Sequence, residues 1–287
     1  MQYPHSELVL DAKGHVYHLG VSPDQVATNV ILVGDQDRVN LVASFFDTIE
    51  HQSQHREFVC TTGTYKGKHV SAVSTGIGTD NIDITINELD ALFNIDLENR
   101  CDKDAHTSLN LIRIGTCGIL QPAIPLHSYI LSTHALGLDN VAHFYEVDFS
   151  KKELALNKAI NEQVSLPQSV ITYVSEASDK LTDKLRSDKT IEGITVTSSG
   201  FYGPQGRQLR LKNRTSELNE QLTAFESGGH QVTNFEMESS ALFSLGRSLG
   251  HECATICLGI ANRPNMEFST GYKEDMLELI EYVLDRV

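Results

Sequence analysis

The chain has 287 residues, and 38 Asp and Glu against 23 Lys and Arg give a formal charge of −15 with His neutral. That balance excludes a protein that grips a nucleic acid polymer or an anionic membrane through a broad basic face, but not one that takes a small anion. With 40% hydrophobic and 21% charged residues, the composition is that of a globular chain with a sizeable core, expected as one domain over residues 1–287.

The first seven residues lack the basic and apolar regions of a signal peptide, and no window offers the roughly 20 apolar residues of a membrane span. A cytoplasmic protein is therefore expected. The first strand pattern, Asn29 to Val33, runs into Gly34-Asp35-Gln36-Asp37-Arg38, which reads either as an anion-binding turn with a forked cation or as a tight turn ending in a surface Arg. A second strand, His69 to Ser74, leads into Ser74-Thr75-Gly76-Ile77-Gly78-Thr79 and a helix whose stripe is Ile82, Ile86, Leu89 and Phe93. This turn starts like a dinucleotide fingerprint, but Asn81 stands where the third Gly belongs.

The polar, aperiodic stretch Asp96 to Ser108 is expected to be a surface loop. After it, the strand Leu109 to Ile114 carries Arg113 and continues as Gly115-Thr116-Cys117-Gly118. A cation inside an apolar strand is costly to bury without an anion, so this segment reads as a nest for a tetrahedral oxyanion, with a structural ion pair as the alternative. Further strands are expected at Tyr129 to Ser132, Val170 to Val174, Ile194 to Thr197 and Cys253 to Ile260. Asn234 to Ser240 opens a second helix (Met237, Ala241, Leu242, Leu245, Leu249) with two carboxylates. These are suited to a vicinal diol or, alternatively, favoured by the helix dipole. A third stripe, Met276, Leu279, Ile280, Val283 and Val287, closes the chain. Interleaved strands and helices predict an α/β fold with a mostly parallel or mixed sheet. The five Cys are spread as free thiols, and the twelve His show no metal-ligand spacing.

Seven motifs together resemble the nucleoside phosphorylase family, in its uridine phosphorylase (pyrimidine) branch. They are Val16-Tyr17-His18-Leu19-Gly20, Gly34-Asp35-x-x-Arg38, His55-Arg56-Glu57-Phe58, Ser74-Thr75-Gly76-Ile77-Gly78, Arg113-Ile114-Gly115-Thr116-x-Gly118, Phe201-Tyr202-x-x-Gln205-x-Arg207 and Phe235-Glu236-Met237-Glu238-Ser239. Order and spacing agree over about residues 16 to 263. The resemblance implies a single α/β domain around a mixed, partly barrel-like sheet flanked by helices. It also implies phosphorolysis of uridine to uracil and ribose 1-phosphate, with inorganic phosphate as co-substrate, no cofactor, no metal and no covalent nucleophile.

Carried over by motif, Gly34, Arg38, Arg113 and Thr116 hold phosphate. Arg56 and His18 cross from a neighbouring subunit to the phosphate and the ribose 5′-hydroxyl. Glu236, Met237 and Glu238 line the ribose, with Glu238 on its 2′ and 3′ hydroxyls. Gln205 and Arg207 read uracil, Phe201 packs on the base, Arg263 supports the pair, and Cys117 and Gly118 face the base. Arg113, Gln205, Arg207 and Glu238 are the expected catalytic set. The resemblance thus implies a homo-oligomer, a dimer at minimum, with a hexamer of three dimers as the larger form.

Purine-cleaving relatives place an acid after the strand corresponding to Cys253 to Ile260; here the stretch reads Gly259-Ile260-Ala261-Asn262-Arg263. Four departures stand out: Cys117 where Thr or Ser is common, Gly203-Pro204 in reversed order, Asn81 in place of a Ser that helps hold a monovalent cation in some members, and a loop Asp96 to Ser108 longer than in the enterobacterial type. The alternatives are a purine nucleoside phosphorylase, a nucleosidase of the same family, or a silent nucleoside-binding homologue.

Overall fold

The computed structural model describes residues 2–287. In chain order the elements are β1 (Asn29–Val33), α1 (Gln36–Ala43), β2 (Thr48–His55), β3 (Phe58–Tyr65), β4 (Lys68–Ser74), α2 (Thr79–Asn94), β5 (Ile95–Asp96) and β6 (Cys101–Asp102). There follow β7 (Asn110–Ile119), β8 (Tyr129–Gly137), α3 (Lys151–Gln163), β9 (Tyr173–Glu176), α4 (Asp179–Leu185), β10 (Thr190–Thr197) and α5 (Leu218–Ala224). The chain ends with β11 (Glu226–Ser227), β12 (His230–Glu236), α6 (Ser239–Ser248), β13 (Glu252–Asn262), β14 (Glu267–Phe268) and α7 (Lys273–Leu284).

The main sheet runs β11-β12-β10-β8-β13-β7-β1-β4-β3-β2. The far end of β7 also pairs with β12, Gly118 opposite Phe235 and Ile119 opposite Asn234. That second pairing closes β7, β13, β8, β10 and β12 into a five-stranded barrel, from which β1, β4, β3 and β2 extend as an open wing. Alternation along β1 explains why helices cover both faces of the wing: Val30 and Leu32 enter a core with Ile82 and Ile86 of α2, whereas Ile31 and Val33 enter one with Val39 of α1 and Ile280 of α7. A third core lies under α3 and α5, around Leu156, Ile160, Leu222 and Phe225. No described helix is long and apolar enough to cross a membrane.

Several strands outrun the apolar runs that announce them. β7 continues from Ile114 through Gly115-Thr116-Cys117-Gly118 to Ile119, because those small residues keep pairing with β13 and then β12. The strand expected at Val170 begins instead at Tyr173, where antiparallel pairing to β8 starts. The segment 96–108 folds back as the β5–β6 pair and is pinned at its end. His106 Nε2 donates to Leu249 O (2.8 Å), and Thr107 N donates to Asn94 Oδ1 (2.7 Å).

Here Asp90, His106 and His251 come within reach of one another. Leu109 N donates to His251 Nδ1 (3.2 Å), which leaves the ring proton on Nε2, facing Asp90 Oδ1 at 3.2 Å. The loop is thus held by the His106, Thr107 and Leu109 hydrogen bonds, while His251 Nε2 approaches Asp90 without forming one.

Candidate active site

A cleft of about 790 Å³ opens where β1, β4 and β7 end and the barrel begins, the position in which open α/β sheets expose loops and helix starts to ligands. Most of the residues singled out in the sequence line it: Gly34, Arg38, Arg113, Thr116, Cys117, Gly118, Phe201, Gln205, Arg207, Glu236, Met237 and Glu238. His18, Arg56 and Arg263 do not.

Arg113 is the centre of one end and is only 5% exposed. Its Nη2 donates to Glu238, while Nη1 meets Glu236 Oε2 at 3.2 Å and Cys257 Sγ at 3.4 Å. The guanidinium folds back over Gly115, where a Cβ would fall 2.3 Å from Nη1, so a side chain there would push the guanidinium from this place. Burial alone would lower the affinity of Arg113 for its proton, but Glu238 and Glu236 outweigh it and hold the group above its ordinary value. Glu238 moves upward, pushed first by burial, with Arg113 opposing and Glu236 assisting.

Arg38, in the first turn of α1, faces Arg113 across the cleft floor. Burial and the Arg113 charge both pull it below its usual value, and the single hydrogen bond of its guanidinium is a long one, Nη1 to Ile114 O at 3.5 Å. Asp35 fixes the start of α1 by accepting from Asp37 N at 3.0 Å. Both guanidiniums line the cleft beside the main chain at Gly34, Arg113 already met by Glu236 and Glu238 and Arg38 without a salt bridge among the described residues.

The two carboxylates divide their work. Glu236 ends β12 and accepts from Thr197 Oγ1 (2.5 Å), Glu238 N (2.9 Å) and Ser239 N (3.0 Å) as well as meeting Arg113. It lines the cleft, yet its oxygens are spent on capping α6 and orienting Arg113. Glu238 accepts from Gly78 N (2.8 Å) and Met237 N (3.3 Å) besides Arg113. Gly78, at φ 100°, turns its N–H to Glu238, so the turn that begins like a dinucleotide fingerprint holds a carboxylate here.

At the other end, Gln205 is 3% exposed and donates from Nε2 to Ser198 Oγ (2.9 Å). Its Oε1 accepts from Arg207 Nη1, which also donates to Phe201 O (2.7 Å). The Arg207 guanidinium lies 3.7 Å over the Phe201 ring. Burial and the nearby Arg263 pull Arg207 down to about 10, so it stays charged at neutral pH. Arg263 stands behind the cleft wall at Gly118, where an added Cβ would lie 3.6 Å from its Cγ. With the Asn219 amide turned to suit its neighbours, its oxygen accepts from Arg263 Nη2 (3.2 Å) and its nitrogen donates to Gln205 O (3.3 Å).

His18 and Arg56 lie together outside this cleft. Arg56 Nη2 donates to Tyr17 Oη (3.4 Å), and the Tyr17 ring is 5.0 Å from that of His18. The sequence reading missed Asn219, and also Ile77, Ile260 and Phe268 on the cleft wall. Phe268 belongs to a two-residue strand with no periodic signal, and Asn219 looks like any polar helical residue.

The sequence model of the phosphorylase superfamily matches residues 28–284, and the chain belongs to that family. A uridine phosphorylase of Thermococcus kodakarensis is 30% identical over 279 residues, 94% of this chain and 86% of its own. A DeoD-type purine nucleoside phosphorylase of Brevibacillus brevis is 28% identical over 230 residues, 79% of each chain. The crystal structure of a Trypanosoma brucei nucleoside phosphorylase, described as showing uridine phosphorylase activity, superposes with a TM-score of 0.89 at 29% identity, covering 98% of this chain and 99% of that one.

Proposed function

We propose that the protein is an enzyme that cleaves uridine with inorganic phosphate, giving uracil and ribose 1-phosphate. The observation that carries this reading is the division of one cleft into three chemistries. A paired-arginine corner (Arg38, Arg113) lies at one end, Glu238 in the middle, and an amide–guanidinium pair on an aromatic ring (Gln205, Arg207, Phe201) at the other. The T. kodakarensis and T. brucei likenesses support the same choice.

Phosphate at neutral pH already carries nucleophilic oxygens and needs no general base. Arg38, Arg113, Thr116 and the main chain at Gly34 hold it beneath the anomeric carbon, which is where most of the positional advantage arises. Glu238, on the other side of Arg113, takes the 2′ and 3′ hydroxyls with Met237 beside it. Bond cleavage leaves cationic character on the ribosyl carbon and negative charge on uracil. Gln205 pairs with the amide edge of the base, and Arg207 meets the charge that develops on its carbonyl oxygens, an interaction stronger in the transition state than in the ground state. Arg263 steadies this pair through Asn219.

Pyrimidine is favoured over purine because no carboxylate stands at the base end. Asn262, the last residue of β13, turns its Nδ2 to Gln121 O (3.1 Å) and Ile124 O (2.8 Å). His18 and Arg56, displaced from their own cleft onto one patch, fit a dimer in which each subunit completes its partner's site, with the trimer of dimers as a larger form.

Uridine incubated with phosphate should yield uracil and ribose 1-phosphate. Uracil formed without phosphate indicates a nucleosidase, faster cleavage of inosine a purine phosphorylase, and binding without turnover a silent homologue. A fully active monomer on sedimentation would remove the shared-site reading.

A further inference from the structure

Helix α2 carries a carboxylate that the reading above leaves without a role. Both oxygens of Glu88 turn to the Tyr17-His18-Leu19-Gly20 loop, 69 and 70 residues earlier in the chain. Oε1 takes His18 N at 2.9 Å and His18 Nδ1 at 2.6 Å; Oε2 takes Leu19 N at 2.7 Å and His18 N at 3.0 Å. The other side of the same peptide is also held, since His55 Nδ1 donates to His18 O at 3.0 Å. The loop then reverses at Gly20, φ 65°. Edge-on contacts with Tyr17 (5.0 Å) and Phe58 (6.3 Å) fix the plane of the His18 ring.

An anchor for the loop needs only the two backbone N–H groups. The contact to Nδ1 does something else. A carboxylate is purely an acceptor, so Nδ1 must carry a hydrogen; in the neutral ring Nε2 then presents a lone pair outward. The same second carboxylate fixes metal-binding imidazoles in one tautomer, and here it would prepare a hydrogen-bond acceptor.

We infer that Glu88 is a positioning residue that sets His18 Nε2 to accept the hydrogen of the nucleoside 5′-hydroxyl, and so selects substrates with a free 5′-OH. The inference rests on uridine phosphorolysis and on His18 as its ribose contact. It adds the residue that decides the direction of that hydrogen bond.

The test compares uridine with 5′-deoxyuridine, each with phosphate, for the full-length wild type, Glu88→Ala, His18→Ala, the double variant and Glu88→Gln. The single alanine variants should raise KM for uridine roughly tenfold, the scale of one lost hydrogen bond, with kcat little changed. Their kinetics on 5′-deoxyuridine should match wild type. The double variant should be no worse than either single one, because both remove the same contact. Glu88→Gln, whose amide oxygen can still accept from Nδ1, should recover part of the loss.

Equal loss on both nucleosides, or additive losses in the double variant, would reduce Glu88 to a loop anchor and overturn the proposal. Should Glu88→Ala fail to fold, ¹⁵N shifts of the His18 ring in the wild type decide the matter: hydrogen on Nδ1 alone upholds it, while hydrogen on Nε2, alone or together with Nδ1, overturns it. If the wild type cleaves neither nucleoside, the activity reading has failed, and the ring tautomer still reports on Glu88 separately.

Discussion

The two ends of the cleft are made of different material. The charged end stands on barrel strands and a helix cap, with Arg113 5% exposed and Glu236 and Glu238 both 3% exposed. The base end rides on the segment after β10, where Phe201 is 49% exposed and Arg207 is held by its neighbours in the same loop. A cation kept among carboxylates in a dry interior cannot rearrange cheaply, since either partner left alone is an uncompensated buried charge. The loop end can shift around a base with little strain. On the function proposed above, stiffness goes where phosphate must be aimed and adaptability where the base must be admitted.

The comparison is tested hardest at Arg113. Arg113→Met should lower kcat/KM by about 10³-fold or more and cost on the order of 3–5 kcal/mol of stability, because Glu236 and Glu238 lose their counter-ion. Steady-state kinetics with thermal denaturation checks both; an inactive variant of unchanged melting temperature would break the claim that this end is a load on the fold. Gln205→Ala should cost about 10²-fold in kcat/KM, as loss of one transition-state donor does. Its stability loss should stay near 1 kcal/mol, the worth of its bond to Ser198. The smallest effect is expected at Asn219→Ala: about a fivefold fall in kcat/KM for uridine with an unchanged melting temperature, a loss of roughly 1 kcal/mol of orientation. A larger fall than at Gln205 would mean that the base end is held from behind rather than from within its loop.

The elements that carry their own periodicity were legible from residue types alone. β1 was readable because every residue from Val30 to Val33 is apolar and buried, and α2 and α6 because their stripes repeat at helical spacing. β2 was not, since Thr48–His55 is an exposed polar edge strand whose form depends on pairing with β3. β12 has a buried run of Val232 to Glu236 in which Thr233, the Asn234 Oδ1 and Glu236 find partners on the neighbouring β10, something only the assembled barrel reveals.

The site was legible for a different reason. Arg113 inside an apolar strand and two acids at a helix start are locally expensive, and such expense needs a partner. The residues do find partners, each other: Arg113 pairs with Glu238 and Glu236 before any ligand is considered. Of the two readings of Arg113, the ion pair is the one the structure shows. What no motif conveyed is the occupation of Glu236 by the cap of α6, because the same Glu-x-Glu pattern serves a diol or a helix end equally well.

The barrel seam between β7 and β12 bears on how this chain acquires activity over time. Arg113 and Glu238 are 125 residues apart, and the pairing of Gly118 with Phe235 is what brings their strands together. Long-range closures of this kind come late in folding, after the local helices and hairpins have formed. During refolding the helical signal should therefore return ahead of catalytic competence, and a nascent chain has no working cleft until residues beyond β12 have been made and the ring has shut.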